Sequence, residues 1–222
     1  MPSTLDQASV LFDLDGTFAD TAPDLAFALN QLLKSEGRPP LPLALIRPHA
    51  SHGGNALLKL GFGLVPGEPG FAELRETYLA IYRDHVAQDT RLFPGFAELL
   101  AALESRAVPW GIVTNKPAWL TEPLVRALGV WDRAGCVVSG DTTPHLKPHP
   151  EPVRHACRLL GRSTQSCWYL GDAERDVEAG RSAGTRTLVA LFGYLGDQDQ
   201  PETWGADGLI EHPLDLLDWL DS

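Results

Sequence analysis

The chain of 222 residues has few cysteines, few basic residues and no long apolar run. Its three cysteines, Cys136, Cys157 and Cys167, form no CxxC pair, so neither a disulfide framework nor a cysteine-based zinc site is indicated. Lysine and arginine number 18 against 29 acids, and the net charge of −11 argues against nucleic acid or an anionic membrane as a partner. The first residues, MPSTLDQASV, lack the basic and apolar regions of a signal peptide. We therefore expect a reduced, cytoplasmic protein.

Residues 10–21 read VLFDLDGTFADT and open with an apolar run that stops at Asp13. This pattern predicts a buried parallel strand that ends at this acid. Asp15 follows two residues later, and Gly16 and Thr17 favour a sharp turn. In open α/β sheets ligands bind at the carboxyl ends of the strands, so two carboxylates at this place indicate a catalytic edge. The alternative is an ordinary strand end followed by an Asx turn.

The region over residues 18–89 carries amphipathic patterns that predict helices almost throughout. One helix is expected to begin at Pro23 with Thr21 or Asp20 as its cap, and another to cover residues 67–88. Between them, the segment SHGGN predicts a helix that Ser51 caps, with glycines in its first turn.

From residue 93 onward, short apolar runs alternate with helical patterns, which indicates βαβ units and a parallel sheet. The expected fold class is therefore α/β, with a catalytic core formed by residues 1–17 and 90–222. Residues 18–89 form the expected helical cap domain, inserted after the first strand and lying over the catalytic edge.

Polar groups also follow three other strands of the predicted sheet. Thr114 ends WGIVT, Lys147 lies in the proline-rich loop PHLKPHPEP, and Asp172 ends CWYLGD with Asp176 one helical turn later. Clustered acids repel one another unless a cation lies among them, and hard oxygen ligands of this kind suit Mg²⁺. Taken singly, each residue also fits an ordinary loop lysine, helix cap or strand end; their joint occurrence favours a phosphate site.

The segments FDLDGT, VTN, LKP and GDAERD occur in this order, and at these residues the chain resembles the haloacid dehalogenase superfamily of phosphotransferases. The resemblance spans essentially the whole chain. It implies a doubly wound, Rossmannoid parallel-sheet core with a helical cap inserted after the first motif. It also implies a Mg²⁺-dependent phosphomonoester hydrolase that acts through an aspartyl-phosphate intermediate.

The resemblance assigns roles residue by residue. Asp13 is the nucleophile and Asp15 the general acid and base, and their spacing puts both side chains on one side of an extended segment. Thr114 and Lys147 bind the phosphoryl group. The further residues implied are a metal set of Asp13, Asp15, Asp172 and Asp176, with Asn115 as a substrate contact.

Arg47, His52 and Gly53 belong to the cap segment that we expect to select the substrate, because glycines at a helix N-terminus expose amides to an anion. A plain turn between helices is the equal alternative. Within the superfamily the chain is similar to phosphoglycolate phosphatases, the first expectation, and to N-acetylmuramic acid 6-phosphate phosphatases, the alternative. A β-phosphoglucomutase-like mutase or a non-catalytic phospho-Asp switch is a lesser one. The expected partner is a small phosphorylated metabolite, and the expected state a monomer or homodimer.

Three histidines, His145, His149 and His155, crowd the region around Lys147. Their irregular spacing among prolines favours solvated loop histidines over a zinc site.

Overall fold

The structure is a computed structural model that describes residues 8–221, and its centre is a six-stranded sheet. The strand order is β5-β4-β1-β6-β7-β8, and every neighbouring pair is parallel. The strands are β1 (Ser9–Phe12), β2 (Ala19–Asp20), β3 (Arg91–Leu92), β4 (Trp110–Val113), β5 (Cys136–Val138), β6 (Cys167–Gly171), β7 (Arg186–Ala190) and β8 (Gly208–Ile210). The predicted α/β class with a doubly wound parallel sheet is confirmed.

The described residues form nine α-helices: α1 (Ala22–Ser35), α2 (Leu43–Ala50), α3 (Gly53–Phe62), α4 (Phe71–Asp84), α5 (Phe96–Ser105), α6 (Ala118–Ala127), α7 (Glu151–Leu159), α8 (Glu174–Ala183) and α9 (Leu216–Leu220). Short 3₁₀ turns cover Thr164–Ser166, Pro201–Thr203 and Pro213–Asp215. None of the helices in residues 8–221 has the length and apolar character that a membrane span requires.

Strand β1 lies at the centre of the sheet, between β4 and β6. The chain runs outward from β1 through β4 to β5, and then returns to fill the other half with β6, β7 and β8. The strand order therefore reverses around β1. Ligands bind at such a reversal in open α/β sheets, because the loops after the neighbouring strands diverge there and leave a crevice.

The four helices α1–α4 lie between β2 and β3, which form a separate antiparallel pair. Helix α1 packs against α2, α3 and α4, so these helices share their own apolar contacts. The assignment of residues 18–89 as a cap domain stays a prediction.

Helix α4 is shorter than the helix predicted over residues 67–88. It begins at Phe71 because Gly70 before it has a φ of +83°, a left-handed conformation that a right-handed helix does not continue through. It ends at Asp84, where His85 leaves the helical region with a φ of −129°.

An aromatic cluster holds the turn after β1 against the sheet. Phe18 stacks on Trp110 at a centroid distance of 5.7 Å, and Phe12 meets Phe96 edge to face at 5.2 Å. All four side chains are buried. Aromatic pairs of these geometries each contribute about 0.5–1.5 kcal/mol beyond the burial of their area. The turn that carries the predicted nucleophile is thus fixed by packing beneath it.

Asp24 in α1 is a fully buried carboxylate that ties the first helix to the segment returning to the sheet. It accepts hydrogen bonds from the backbone N–H groups of Asp89 (3.0 Å) and Thr90 (2.9 Å) and from Thr90 Oγ1 (2.7 Å). His85 Nδ1 lies 3.0 Å from the same carboxylate. A buried charge is tolerated here because several donors surround it.

Replacement of this carboxylate tests its structural role. Asp24→Ala should lower the free energy of unfolding by about 3 kcal/mol or more, because each buried donor left unsatisfied costs about 1–3 kcal/mol. Urea denaturation at neutral pH measures the loss. The control is Asp84→Ala, which removes an exposed carboxylate that pairs with the adjacent Arg83, and should cost under about 1 kcal/mol. Similar losses in both variants would contradict this role.

Candidate active site

The predicted nucleophile Asp13 lies directly after β1, buried at the carboxyl edge of the sheet. Its carboxylate accepts a hydrogen bond of 2.7 Å from the backbone N–H of Leu14. Gly16 follows with a φ of +86°, and a Cβ at this position would collide with the Asp172 carboxylate. Glycine is therefore required here both for the turn and for the close approach of the loop after β6.

Three of the four predicted metal-binding carboxylates come together. Asp13, Asp172 and Asp176 each place one oxygen within 4.8 Å of the others, and all three are at most 2% exposed. Asp176 also accepts a hydrogen bond from the backbone N–H of Ala173, which fixes it at the start of α8. The carboxyl ends of β1 and β6 are adjacent, and this adjacency brings the three acids to one point.

Lys147 reaches this cluster from the loop after β5. Its buried ammonium lies 2.7 Å from Asp13 Oδ1 and 2.8 Å from Asp176 Oδ1. It also donates to the Val113 carbonyl and to the Tyr169 hydroxyl, each at 2.9 Å. The donors of this lysine therefore all face buried acceptors. It is not an ordinary solvated loop lysine, the alternative that its position between prolines left open.

The carboxylates perturb one another's titration. Burial, followed by the charge of Asp176, raises the pKa of Asp13 to about 7, and Lys147 offsets only part of this rise. Burial and Asp176 likewise raise the pKa of Asp172 to about 6. Burial would raise the pKa of Asp176 as well, but Lys147 and Arg175 outweigh it and hold that pKa below its ordinary value.

The described residues at this point place three carboxylates against two cations, Lys147 and Arg175. All three carboxylates offer hard oxygen ligands, the kind that Mg²⁺ and similar ions prefer. Burial raises the pKa values of Asp13 and Asp172 first, and the negative charge of Asp176 raises them further. The cluster therefore fits a divalent cation in both charge and donor type.

The Asp15 carboxylate lies apart from this cluster. Its Oδ1 accepts hydrogen bonds from Lys116 Nζ at 2.7 Å and from Thr21 Oγ1 at 2.6 Å. Thr21 is the N-cap residue of α1, but its hydroxyl binds Asp15 and does not cap the helix. Lys116 was not predicted, although it directly follows the VTN segment; its ammonium also lies 4.9 Å from the centroid of the Tyr82 ring.

Thr114 and Asn115 follow β4 at the same edge of the sheet. Thr114 is buried, and its Oγ1 accepts a hydrogen bond from the backbone N–H of Lys116. Asn115 donates through its amide nitrogen to the Lys147 carbonyl and accepts from the Lys147 N–H, each at 2.9 Å. Asn115 therefore holds the backbone that carries the catalytic lysine candidate.

Ser51 connects the helical segment, which comprises helices α1–α4, to the carboxyl edge of the sheet. Its hydroxyl donates to Asp172 Oδ2 at 2.6 Å and lies 3.1 Å from the Asp15 carbonyl oxygen. The prediction that Ser51 caps α3 is wrong: the N-cap is His52, and within residues 8–221 no side-chain hydrogen bond caps this helix. Ser51 precedes the N-cap and closes α2 as its C-cap residue, and its hydroxyl donates to Asp172.

Arg175 is a site residue that sequence reasoning missed. Its Nη2 donates to the Ser51 carbonyl at 2.7 Å and lies 3.9 Å from Asp13 Oδ2. Burial disfavours its charge, but Asp176 and Asp13 outweigh this and hold the pKa of Arg175 above its ordinary value. The sequence feature that could have indicated Arg175 is a single cation inside the acidic segment GDAERD.

The three residues predicted to select the substrate lie in three different environments. Arg47 donates two hydrogen bonds to Asp20, at 2.8 and 3.0 Å. His52 lies beside Arg175, with His52 Nδ1 3.2 Å from Arg175 Nη1, and burial followed by this neighbouring charge lowers the pKa of His52. Gly53 has a φ of +74°, and a Cβ there would meet no atom within 4 Å.

A cleft of about 280 Å³ has one carboxylate of the cluster, Asp172, in its lining. Ser51, His52, Asp172, Arg175 and Tyr194 are among its lining residues, so the helical segment and the sheet loops both contribute to it. The tyrosine was not predicted; its backbone N–H donates to Asp172 Oδ2 at 2.9 Å. Arg47 is not among the residues that line the cleft.

Comparison with known proteins decides the family. A profile of haloacid dehalogenase-like hydrolases matches residues 10–190. The chain belongs to the haloacid dehalogenase-like hydrolase family. It is 41% identical to an N-acetylmuramic acid 6-phosphate phosphatase of Pseudomonas putida, with 96% of each chain covered. It is 39% identical to a phosphoglycolate phosphatase of Xanthomonas campestris, with 94% of each chain covered.

The crystal structure of a predicted phosphoglycolate phosphatase from Haemophilus somnus has the same fold. The TM-score is 0.83 at 26% identity, with 95% of this chain and 96% of that chain covered. Membership in the haloacid dehalogenase-like hydrolases and these relatives together identify the chain as a phosphatase.

The raised pKa of Asp13 predicts a pH-dependent cost to stability. The folded protein keeps this proton up to about pH 7, whereas the ordinary pKa of an aspartate is 3.8, so the contribution of Asp13 to stability falls as pH rises between these values. With a chelator present, Asp13→Asn should therefore be more stable than the wild type at pH 8, and by a clearly smaller margin at pH 5.

Thermal denaturation at both pH values measures this difference. A gain of about 1 kcal/mol corresponds to roughly 2–4 °C at this chain length. Asp84→Asn makes the same chemical change at an exposed carboxylate and serves as the matched control. A difference in Tm between Asp13→Asn and the wild type that is the same at pH 5 and pH 8 would refute the assignment of the proton to Asp13.

Proposed function

We propose that this phosphatase hydrolyses small phosphomonoesters with Mg²⁺, through an aspartyl-phosphate intermediate on Asp13. The observation that carries the proposal is the convergence of Asp13, Lys147, Asp172 and Asp176 at the reversal point of the sheet. A buried carboxylate beside a buried ammonium and two further acids suits attack on a phosphoryl group better than it suits a structural ion pair.

The residues that would hold Mg²⁺ are Asp13, Asp172 and Asp176, whose oxygens already face one another. When bound, the ion neutralises negative charge on the phosphoryl oxygens and on the attacking carboxylate. The part of Asp15 in this metal set stays a prediction, because its carboxylate contacts Lys116 and Thr21.

We propose the following chemical steps. An oxygen of Asp13 attacks phosphorus, a new O–P bond forms, and the ester P–O bond breaks. Asp15 gives its proton to the departing alcohol oxygen. It then takes a proton from the water that attacks the aspartyl phosphate, which releases inorganic phosphate and restores the Asp13 carboxylate. Two displacements thus replace one difficult direct attack by water.

Lys147 and Thr114 hold the transferred group during these steps. The Lys147 ammonium is 2.7 Å from the nucleophile, so it offsets the repulsion between that carboxylate and a dianionic phosphate. Asn115 acts through its two hydrogen bonds to the Lys147 backbone, which keep the lysine aimed at the site. Lys116 and Thr21 fix the orientation of Asp15 by donating hydrogen bonds directly to its carboxylate.

We further propose that Arg175 and His52 select substrates that carry a carboxylate as well as a phosphate. Both residues line the cleft beside the carboxylate cluster. Arg47, which the sequence also favoured for this role, already spends two donors on Asp20. Gly53, at the first turn of α3, leaves open space for the far end of a substrate.

Two substrates fit this description, each favoured by one observation. The cleft of about 280 Å³ lies just under the range of about 300–1,000 Å³ typical of pockets for larger ligands, which favours 2-phosphoglycolate. The relatives named for N-acetylmuramic acid 6-phosphate, which are 41% and 40% identical to this chain, favour that sugar phosphate as the second candidate. Both esters carry a carboxylate. The oligomeric state and the cytoplasmic location stay predictions.

Steady-state kinetics on matched substrates test the proposal. With Mg²⁺ present, kcat/KM should be highest for 2-phosphoglycolate. The kcat/KM for N-acetylmuramic acid 6-phosphate should exceed that for N-acetylglucosamine 6-phosphate, the same sugar without the lactyl ether that carries the carboxylate. In Arg175→Gln, kcat/KM for N-acetylmuramic acid 6-phosphate should fall about 10- to 150-fold further than for N-acetylglucosamine 6-phosphate. This factor is the value of a charge-assisted hydrogen bond of roughly 1.5–3 kcal/mol.

Each outcome has a separate meaning. A higher kcat/KM for N-acetylmuramic acid 6-phosphate than for 2-phosphoglycolate would favour the second candidate. Equal losses on both members of a pair would show that Arg175 does not bind the carboxylate. No Mg²⁺-dependent turnover of any of these esters would contradict the proposed reaction class.

A further inference from the structure

A second group of possible metal ligands lies outside the catalytic cluster. His145, His149 and Glu151 each place one ligand atom within 4.8 Å of the others. The two imidazole rings lie with their centroids 4.1 Å apart, and His145 Nε2 is 3.8 Å from Glu151 Oε2. The spacing in the sequence favoured separate, solvated histidines, whereas the fold brings two of the three together with a carboxylate.

The segment that carries these residues is held from both sides. Thr143 Oγ1 donates to the His145 carbonyl at 2.7 Å, and Asn115 binds the Lys147 backbone through two hydrogen bonds of 2.9 Å. Glu151 is the first residue of α7, so its backbone is fixed by the helix. An ion would therefore meet three side chains on restrained backbone, which lowers the entropic cost of collecting them.

The donor types distinguish this group from the catalytic one. Two imidazole nitrogens and one carboxylate oxygen are characteristic ligands of Zn²⁺, which leaves a fourth position for water. Imidazole suits Zn²⁺, Ni²⁺ and Cu²⁺, whereas the all-carboxylate set of Asp13, Asp172 and Asp176 suits Mg²⁺. The two sites would therefore sort ions by ligand chemistry.

The group is also accessible. His145 and His149 both line an open surface hollow of about 850 Å³, so an ion can reach them without movement of the buried core. The Glu151 backbone N–H lies 3.2 Å from His149 Nδ1, a long hydrogen bond that an ion on this nitrogen would replace at small cost.

We propose that His145, His149 and Glu151 form a second metal site, selective for Zn²⁺ and similar ions over Mg²⁺. Lys147 lies between the two histidines, so an ion bound here would tie together the two ends of the segment that delivers this lysine to Asp13. The site would hold that segment in place independently of the catalytic cluster.

Isothermal titration of the full chain with Zn²⁺, in millimolar Mg²⁺ that saturates the carboxylate site, tests this proposal without reference to activity. One Zn²⁺ should bind per chain. His145→Ala and His149→Ala should each weaken binding at least about tenfold, since even the loss of a residue that only supports a ligand costs about 10- to 100-fold. His155→Ala is the matched control, because it removes a half-buried histidine of α7 that is not in the group.

Titration with Co²⁺ provides a second readout, because imidazole ligands at a four-coordinate site give Co²⁺ strong visible absorption. The band should appear in the wild type, His155→Ala and Asp172→Asn, and should be lost in His145→Ala and His149→Ala. The proposal is overturned if the wild type binds no Zn²⁺ in the presence of Mg²⁺. It is equally overturned if Asp172→Asn, and not the histidine variants, abolishes binding. Melting of each variant in metal-free buffer confirms that it is folded.

Discussion

The ion pair between the buried Lys147 ammonium and the carboxylates of Asp13 and Asp176 is the interaction on which the site depends. Three acids lie within 4.8 Å of one another at a place almost without solvent, and their mutual repulsion would disperse them in the absence of cations. Lys147 offsets part of this repulsion, and Arg175 adds a second positive charge from the start of α8. In the proposed mechanism, the negative charge that remains attracts a divalent ion and, with that ion, a phosphate.

The helical segment is joined to this centre through few but strong contacts. Ser51 donates directly to Asp172, and Arg175 donates back to the Ser51 carbonyl, so one residue of the segment touches both a metal-ligand candidate and the cation beside it. Asp24 ties the same segment to the chain where it returns to the sheet. Movement of these helices would therefore alter the surroundings of the carboxylates as well as the entrance to the cleft.

Most of the fold and the centre of the site could be predicted from the sequence, because both depend on short-range patterns. Apolar runs that stop at an acid specify strand ends, and parallel strands bring such ends to one edge. The contacts that were missed are long-range. Ser51 has the sequence context of a helix cap, yet its hydroxyl donates a hydrogen bond to Asp172, 121 positions away. The sequence could not show that Arg47 pairs with Asp20 while Arg175 lines the cleft, because both placements depend on tertiary structure.

Detection of phosphate on Asp13 tests the central claim most directly. The wild type and Asp15→Asn are mixed with Mg²⁺ and an aryl phosphate, whose leaving group needs little protonation, and the reaction is quenched in acid and digested for mass spectrometry. We expect a phosphoryl group on the peptide that contains Asp13, at higher occupancy in Asp15→Asn because the attacking water has lost its base. Continued hydrolysis with no phosphoryl group on that peptide in either protein would contradict the claim, since water would then attack the ester directly.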